Sequence, residues 1–147
     1  LIRASEIANQ GGASGNISHV SFKVITPSNI NINNFKIKMG STTKTELNDN
    51  DTYSFSVSST YQPFNLASIG AGWVDFPLST SFNWNGTSNI LIEVCYDNSN
   101  YNLNSVVQYS NLGYYCNLFS FADNTTGCSL NYSYYWDTRP NMRLKFN

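Results

Sequence analysis

Residues 72–98 read GWVDFPLSTSFNWNGTSNILIEVCYDN, and this stretch decides the fold class. Side chains alternate in the period of two typical of β-strands over residues 74–78 and again over residues 90–97. The Asn-Gly pair at 85–86 lies between these segments and is a strong turn signal, because both residues tolerate positive φ. The second segment is apolar on both faces except at Glu93, so we expect it to lie centrally in a sheet covered on both sides.

The same alternation predicts further strands along the chain. They are expected at residues 17–25, 34–39, 53–57, 103–110 and 141–146, with aromatic segments at 113–120 and 131–136. The first ten residues are expected to form a strand or a single turn, because the glycine cluster that starts at Gly11 ends any element there.

About eight short strands without a useful amphipathic helix predict an all-β fold, a two-sheet antiparallel β-sandwich of jelly-roll type. A single closed barrel is the alternative. With 147 residues, the chain is long enough to form one domain with its own core, so residues 1–147 are expected to be a single domain. The predicted core residues are Phe22, Val24, Phe35, Ile37, Phe76, Leu78, Ile92, Val94, Leu144 and Phe146.

Composition excludes several classes of partner. Charged residues make up 12% of the chain and the net charge is −1, so the basic patch that nucleic-acid binding needs is missing. No run of 18 apolar residues is present, which argues against membrane insertion by a helix. The abundance of Asn, Ser, Thr and Tyr is typical of secreted bacterial β-proteins that meet neutral glycans. The chain starts with Leu1 rather than Met, which indicates a processed product or a piece of a longer protein.

Three cysteines allow one disulfide bond and leave one thiol. We predict the bond between Cys116 and Cys128, because the segment between them contains turn residues that bring its ends together. An unstrained bond of this kind contributes about 3 kcal/mol. Cys95 is then a small buried hydrophobic residue in its strand. Zinc ligation is disfavoured, because the chain has one His and no Cys-x-x-Cys pattern.

Several segments carry a resemblance to a known family. They are ASEI at 4–7, GNIS at 15–18, FKIKMGSTTKT at 35–45, FNWNGT at 82–87, NILIEV at 89–94 and RPNMRL at 139–144. Together they resemble a β-sandwich module of Bacteroidetes-type bacteria, found in surface adhesins, gliding-associated proteins and cargo of the type IX secretion system. The resemblance runs nearly end to end, and it implies an extracellular or cell-surface location and adhesive or binding work without catalysis.

The start of the chain departs from that family, in which a further strand usually precedes the segment that resembles residues 2–7. A sheet that is short of one strand exposes unpaired backbone groups beside an apolar groove, and such an edge accepts a strand from another chain. Head-to-tail strand exchange between copies would give a filament, so we expect a homopolymer as one form of assembly. The alternative is that residues 1–7 already serve as the edge strand. Residues 101–137 match the family only loosely, and we expect ligand specificity there.

An aromatic cluster is the candidate ligand-binding site. Trp136, Tyr134, Tyr132 and Tyr135 could stack on the apolar faces of sugars. The alternative is that Tyr132, Tyr134 and Trp136 share one strand face and pack in or beside the core. Trp73 and Trp84 are expected to pack, because each lies beside alternating core positions.

The acidic turn near residue 50 is a candidate calcium site. Asp49 and Asp51, joined by Glu46, offer the oxygen ligands that calcium prefers. The pattern of an EF-hand loop is absent, which favours a solvated turn. No other cofactor is expected.

Catalysis finds little support in the sequence. His19 is the only imidazole and lies on a predicted solvent-facing strand face. Glu93 with Asp75 or Asp97 could form a glycosidase pair. The favoured interpretation of Glu93 is an inter-sheet partner for Lys or Arg, or an edge-facing position. We therefore expect a non-catalytic adhesive or assembly module, whose partners are other copies or glycans. A carbohydrate-binding module attached to a secreted enzyme is the alternative.

Overall fold

The computed structural model describes residues 1–61, 64–65, 69–98 and 105–147, with backbone only at 64–65. The chain is all-β and every strand pair is antiparallel, as predicted. Its strands are β1 (Gly15–Thr26), β2 (Asn31–Ile32), β3 (Phe35–Thr42), β4 (Val57–Tyr61), β5 (Phe64–Asn65), β6 (Gly72–Trp84), β7 (Asn89–Cys95), β8 (Val106–Val107), β9 (Tyr109–Asn111), β10 (Asn117–Phe119), β11 (Tyr134–Trp136), β12 (Thr138–Pro140) and β13 (Met142–Phe146). The helices of the described ranges are α1 (Ala4–Asn9) and a 3₁₀ helix at Gly127–Ser129.

Two sheets carry the long strands. The first has the order β13-β1-β6, with β8 added to β1, and the second has the order β4-β3-β7. Short pairs are formed by β10 with β11, β9 with β12, and β2 with β5. The jelly-roll connection pattern stays a prediction.

One hydrophobic cluster joins the two large sheets, and the Phe35 ring of β3 lies 5.2 Å from the Phe76 ring of β6. Five predicted core residues are buried: Phe22, Val24, Phe35, Ile37 and Phe76. Leu78, Ile92, Leu144 and Phe146 are partly buried against the same cluster. The prediction for Val94 is wrong, since this residue is 42% exposed near the end of an edge strand.

The stretch at 72–98 forms two strands and a turn, as predicted, but the strands belong to different sheets. Asn85 Oδ1 accepts hydrogen bonds from the backbone N–H groups of Thr87 and Ser88, at 3.0 and 2.8 Å, and Gly86 has a φ of 83°. β6 then pairs with β1, whereas β7 pairs with β3. The Asn-Gly turn therefore carries the chain from one sheet to the other.

The prediction that β7 is a central strand is wrong. Within the described residues it pairs with β3 along its length, but on its other side only Ile90 is paired, through a bridge to Ile2. Leu91 packs against Leu1 and Leu47 in a second small cluster on the outer face of this sheet. The apolar residues on both faces of β7 are therefore explained by packing above and below the sheet. They do not indicate how many strands pair with β7.

Two further segments differ from prediction. Residues 4–9 form α1, and Glu6 Oε2 accepts the Arg3 backbone N–H at 2.7 Å, which satisfies a donor at the start of the helix. In the segment predicted as a strand at 53–57, the strand begins only at Val57, and Tyr53 packs against the small outer cluster. Residues 103–104 of the predicted strand 103–110 lie outside the described residues. Among the described residues, no helix has the length and apolar character required to cross a membrane.

Candidate ligand-binding surface

The strand pair of β10 and β11 presents aromatic residues on one face. Asn117 lies opposite Trp136, and Phe119 lies opposite Tyr134. Because side chains alternate along a strand, these four residues share one face of the ribbon. Phe121 follows β10 with the same alternation. A three-residue strand pair has too little area to bury both faces, so this face meets solvent.

We call Phe119, Phe121, Tyr134 and Trp136 the aromatic strip. The Phe121 and Tyr134 ring centroids are 5.9 Å apart with 12° between their planes, and Phe119 stacks on Tyr134 at 5.1 Å. Trp136 lies 4.4 Å from Phe119, tilted by 53°. Phe121 is 73% exposed, Trp136 55% and Tyr134 49%. Clustered exposed rings of this kind mark an interaction surface rather than a core.

Only part of the predicted aromatic site is brought together in this strip. Trp136 and Tyr134 belong to it and are about half exposed, so neither packs inside the core. Tyr135 points to the opposite face, where its ring meets Tyr115 at 4.7 Å. Tyr132 lies outside the strip, because its hydroxyl donates to Glu93.

Phe119 and Phe121 belong to the strip but were not predicted from the sequence. The available signal was their alternation over 117–121, which matches that of Tyr134 and Trp136 across the pair. Trp84 is buried, as expected of a packing residue. The Trp73 ring is covered by the Arg143 guanidinium, 3.9 Å from its centroid.

Glu93 is held by two partners instead of forming a catalytic pair. It forms an ion pair with Lys38, its direct cross-strand neighbour on β3, and it accepts the Tyr132 hydroxyl. Burial, followed by the hydrogen bond to Glu93, raises the pKa of Tyr132 far above its ordinary value. Glu93 does have a Lys partner, but the predicted inter-sheet pairing is wrong, because Lys38 lies on the neighbouring strand of the same sheet. Asp75 lies on β6 in the other sheet, where it accepts the Ser21 hydroxyl at 2.6 Å.

The acidic turn does not assemble a calcium site. The Asp51 carboxylate forms an ion pair with Lys44 Nζ at 2.8 Å, and the Glu46 carboxylate lies 3.8 Å from the Arg3 guanidinium. Asp49 accepts the side-chain amide of Asn50 at 3.1 Å. Within the described ranges, no group of three His, Cys, Asp or Glu residues is placed to hold a metal ion.

The predicted disulfide is wrong. The structure joins Cys95 to Cys128, with Cα atoms 5.1 Å apart, and leaves Cys116 free and buried. Burial raises the pKa of the Cys116 thiol. Two hydrogen bonds fix the backbone of Cys116. Its N–H donates to the Trp136 carbonyl at 3.0 Å, and its carbonyl accepts a hydrogen bond from the Leu1 amino group at 2.8 Å. The disulfide instead fastens the loop before Tyr132 to the end of β7.

Arg139 anchors this C-terminal part of the chain to α1. Its guanidinium bonds both carboxylate oxygens of Glu6 at 3.1 Å, and the Tyr114 hydroxyl donates to Glu6 at 2.9 Å. Burial alone would raise the pKa of Glu6, but the bonds from Arg139, the Arg3 backbone and Tyr114 lower it below its ordinary value. Burial and the bond to Glu6 raise the pKa of Tyr114 to about 12.

The sequence matches no protein-family model, and no curated protein or solved structure is significantly similar to it.

Proposed function

We propose that the protein is a non-catalytic, extracellular adhesive module of a bacterial cell surface, and that the aromatic strip is its contact surface. The single observation that carries this proposal is the set of four neighbouring rings, three of them about half exposed or more. Tyr and Trp are enriched among the residues that dominate binding energy at interfaces.

The ligand class that fits the strip is a neutral glycan. Flat rings stack on the apolar faces of sugars, and Asn117, on the same face as Trp136, offers an amide for a sugar hydroxyl. The low charge of the chain, 12% charged residues with a net charge of −1, disfavours a ligand that is held by ionic contacts.

The location outside the cell is supported by the covalent chemistry. A disulfide between Cys95 and Cys128 persists in oxidising compartments and is rare in the cytosol of mesophiles. The polar, weakly charged composition points in the same direction.

A glycan array tests the adhesive function. Wild type is expected to bind neutral glycans. Trp136→Ala is expected to weaken binding about thirtyfold, because losing a hot-spot residue costs about 2 kcal/mol of binding free energy. Trp136→Phe keeps a ring and is expected to retain most of the affinity. Tyr109→Ala is the matched control, because Tyr109 is an exposed aromatic residue on β9, outside the strip.

The same array separates adhesion from the second candidate, a carbohydrate-binding module attached to a secreted enzyme. A narrow set of hits from one polysaccharide, abolished by Trp136→Ala, would favour the second candidate. Binding to several unrelated neutral glycans would favour adhesion. Retention of all hits by Trp136→Ala would remove the strip from the binding surface.

A further inference from the structure

The outer edge of β7 carries backbone groups that meet no partner among the described residues. Ile90 exchanges both backbone hydrogen bonds with Ile2, at 2.8 and 2.9 Å, so its N–H and C=O point away from β3. In an antiparallel ladder without a bulge this orientation repeats at every second residue. The N–H and C=O groups of Ile92 and Val94 therefore point outward too. Consistent with this geometry, Met39 O, opposite Ile92, accepts its bond from Ser56 on the other side of β3.

Both ends of this open edge are closed. At one end, the bridge between Ile2 and Ile90 fills the first position. At the other end, Gly127 lies directly against the Tyr96 carbonyl, and the disulfide between Cys95 and Cys128 fixes that loop in place. We call the edge between these two ends the β7 slot. It leaves two outward-facing residues of β7, Ile92 and Val94, available for pairing.

An apolar cavity adjoins the β7 slot. It has a volume of about 260 Å³, and its lining includes Phe22, Ile92, Val94, Leu118 and Met142. This volume is several times the roughly 30 Å³ that a water molecule takes in the liquid. The cavity is partly open to solvent, so side chains of another segment can enter it from outside.

The charged groups that line the cavity already have partners. Glu93 is paired with Lys38, and Arg139 is paired with Glu6. A charged ligand would have to compete with these pairs. The β7 slot therefore favours an uncharged occupant with apolar side chains and free backbone donors and acceptors.

We propose that the β7 slot is a strand-acceptor site, which takes an extended segment from a second polypeptide. The segment runs antiparallel to β7 and continues the register that Ile2 begins opposite Ile90. It pairs with the N–H and C=O groups of Ile92 and Val94, and it places apolar side chains at alternate positions into the cavity. This is the position at which strand exchange would join one copy to the next, and its cavity shares Phe119 with the aromatic strip.

The register specifies which peptide amides face β7. Ile2 both bonds Ile90 through its backbone and buries its side chain in the main core. In the strand that continues this register, core-facing residues therefore direct their N–H groups toward β7. An acetylated and amidated tetrapeptide, Thr-Val-Thr-Val, is a suitable probe, because it fits between the closed ends and its two valines face the core opposite Ile92 and Val94.

The test titrates isotope-labelled protein with this peptide and follows amide hydrogen exchange by NMR. Exchange of the Ile92 and Val94 amides is expected to slow on binding. Methylating the valine nitrogens removes the donors that face β7 and is expected to weaken binding about tenfold or more. Methylating the threonine nitrogens is the matched control, because those amides face away from β7.

A protein variant gives a second measurement. Val94→Pro removes only an outward N–H, and proline is tolerated at such edge positions. It is expected to abolish peptide binding, whereas Val94→Thr keeps the N–H and the affinity. Equal binding of the two methylated peptides would overturn the proposal. So would Ile92 and Val94 amides that are already protected in the protein alone, because the slot would then be filled by the protein's own chain.

Discussion

The part of the chain that ends with β7 and the part that begins with β8 use aromatic residues in opposite ways. In the first part, Trp84 is 1% exposed, and Phe76 packs between the sheets. In the second part, Trp136 is 55% exposed, and Phe121 is 73% exposed. The second part is also the richer in aromatic residues, with 10 among residues 106–147 against 10 among residues 1–95, so it has more rings to cover with shorter strands.

Strand length accounts for this contrast. β1 has 12 residues and β6 has 13, and they pair with each other over most of their length in the first sheet. β10 and β11 have three residues each and pair as an isolated ribbon. A long ladder presents enough apolar area on one face to form a core, whereas a short ribbon does not. Exposed rings on such a ribbon are available to a ligand.

The largest effect is expected from the two tryptophans. Trp84→Ala removes a fully buried indole, whose N–H donates to Ser88 O at 2.7 Å, and should lower the free energy of unfolding by about 3 to 5 kcal/mol. Trp136→Ala should change it by less than about 0.5 kcal/mol. Urea unfolding monitored by circular dichroism measures both. Similar losses for the two variants would erase the contrast between the two parts of the chain.

The disulfide is the covalent link between the two parts. Its sequence separation is 33 residues, so replacing Cys95 and Cys128 together by Ala should lower the free energy of unfolding by about 3 to 4 kcal/mol in the loop-entropy description. Cys116→Ala should cost about 1 kcal/mol, because it removes one buried sulfur atom. Peptide mapping without reductant should yield Cys95 linked to Cys128. A peptide linking Cys116 to Cys128 would contradict the structure.

The contact of Arg139 with Glu6 is the polar link between the two parts. Glu6→Gln should lower the free energy of unfolding by about 2 kcal/mol at pH 7, since it weakens charged hydrogen bonds. Because the folded protein lowers the pKa of Glu6 below 4.5, this contribution is present above that pH and is lost as pH falls through the lower value. The difference between wild type and Glu6→Gln should therefore shrink in acid. A constant difference between pH 7 and 2 would contradict the assignment.

The smallest effect is expected at Tyr132, which links the second part to Glu93. Tyr132→Phe should cost about 1 kcal/mol at pH 7 through the lost hydrogen bond. The folded protein raises the pKa of Tyr132 above its ordinary value of 10.0, so this stabilisation is present below pH 10 and is lost as pH rises toward the folded-state value. Thermal unfolding of both proteins at pH 7 and 10.5 measures this loss. Tyr109→Phe, at an exposed residue of β9, is a control for general alkaline destabilisation.

The first part of the chain was largely predictable, because alternation over long strands reports burial directly. The strands at 17–25, 34–39 and 72–98 are present, and most predicted core residues lie in or against the main cluster. The second part was less predictable. In a strand of three residues, alternation does not show which face points to the core. The exposure of Trp136 and the position of Phe119 beside it could therefore be known only from the pairing of β10 with β11.

The disulfide was predicted wrongly because the prediction used only the residues near Cys116 and Cys128. Cys116 and Cys128 are near each other in sequence with turn residues between them, but a short separation only lowers the entropy of closing a loop. The packing of Gly127 against Tyr96 brings Cys128 to Cys95 instead. The candidate calcium ligands failed for a related reason, because Lys44 and Arg3 take the carboxylates of Asp51 and Glu46.

The amino-acid sequence by itself determined the all-β class, the positions of the long strands and the Asn-Gly turn, because strand periodicity and turn conformation depend on neighbouring residues. Only the tertiary structure decided that this turn connects two sheets, that β7 has one neighbouring strand among the described residues, that Cys95 joins Cys128 and that four rings form one exposed strip. Each of these features depends on which distant segments lie side by side, and that choice is made by the packing of the whole chain.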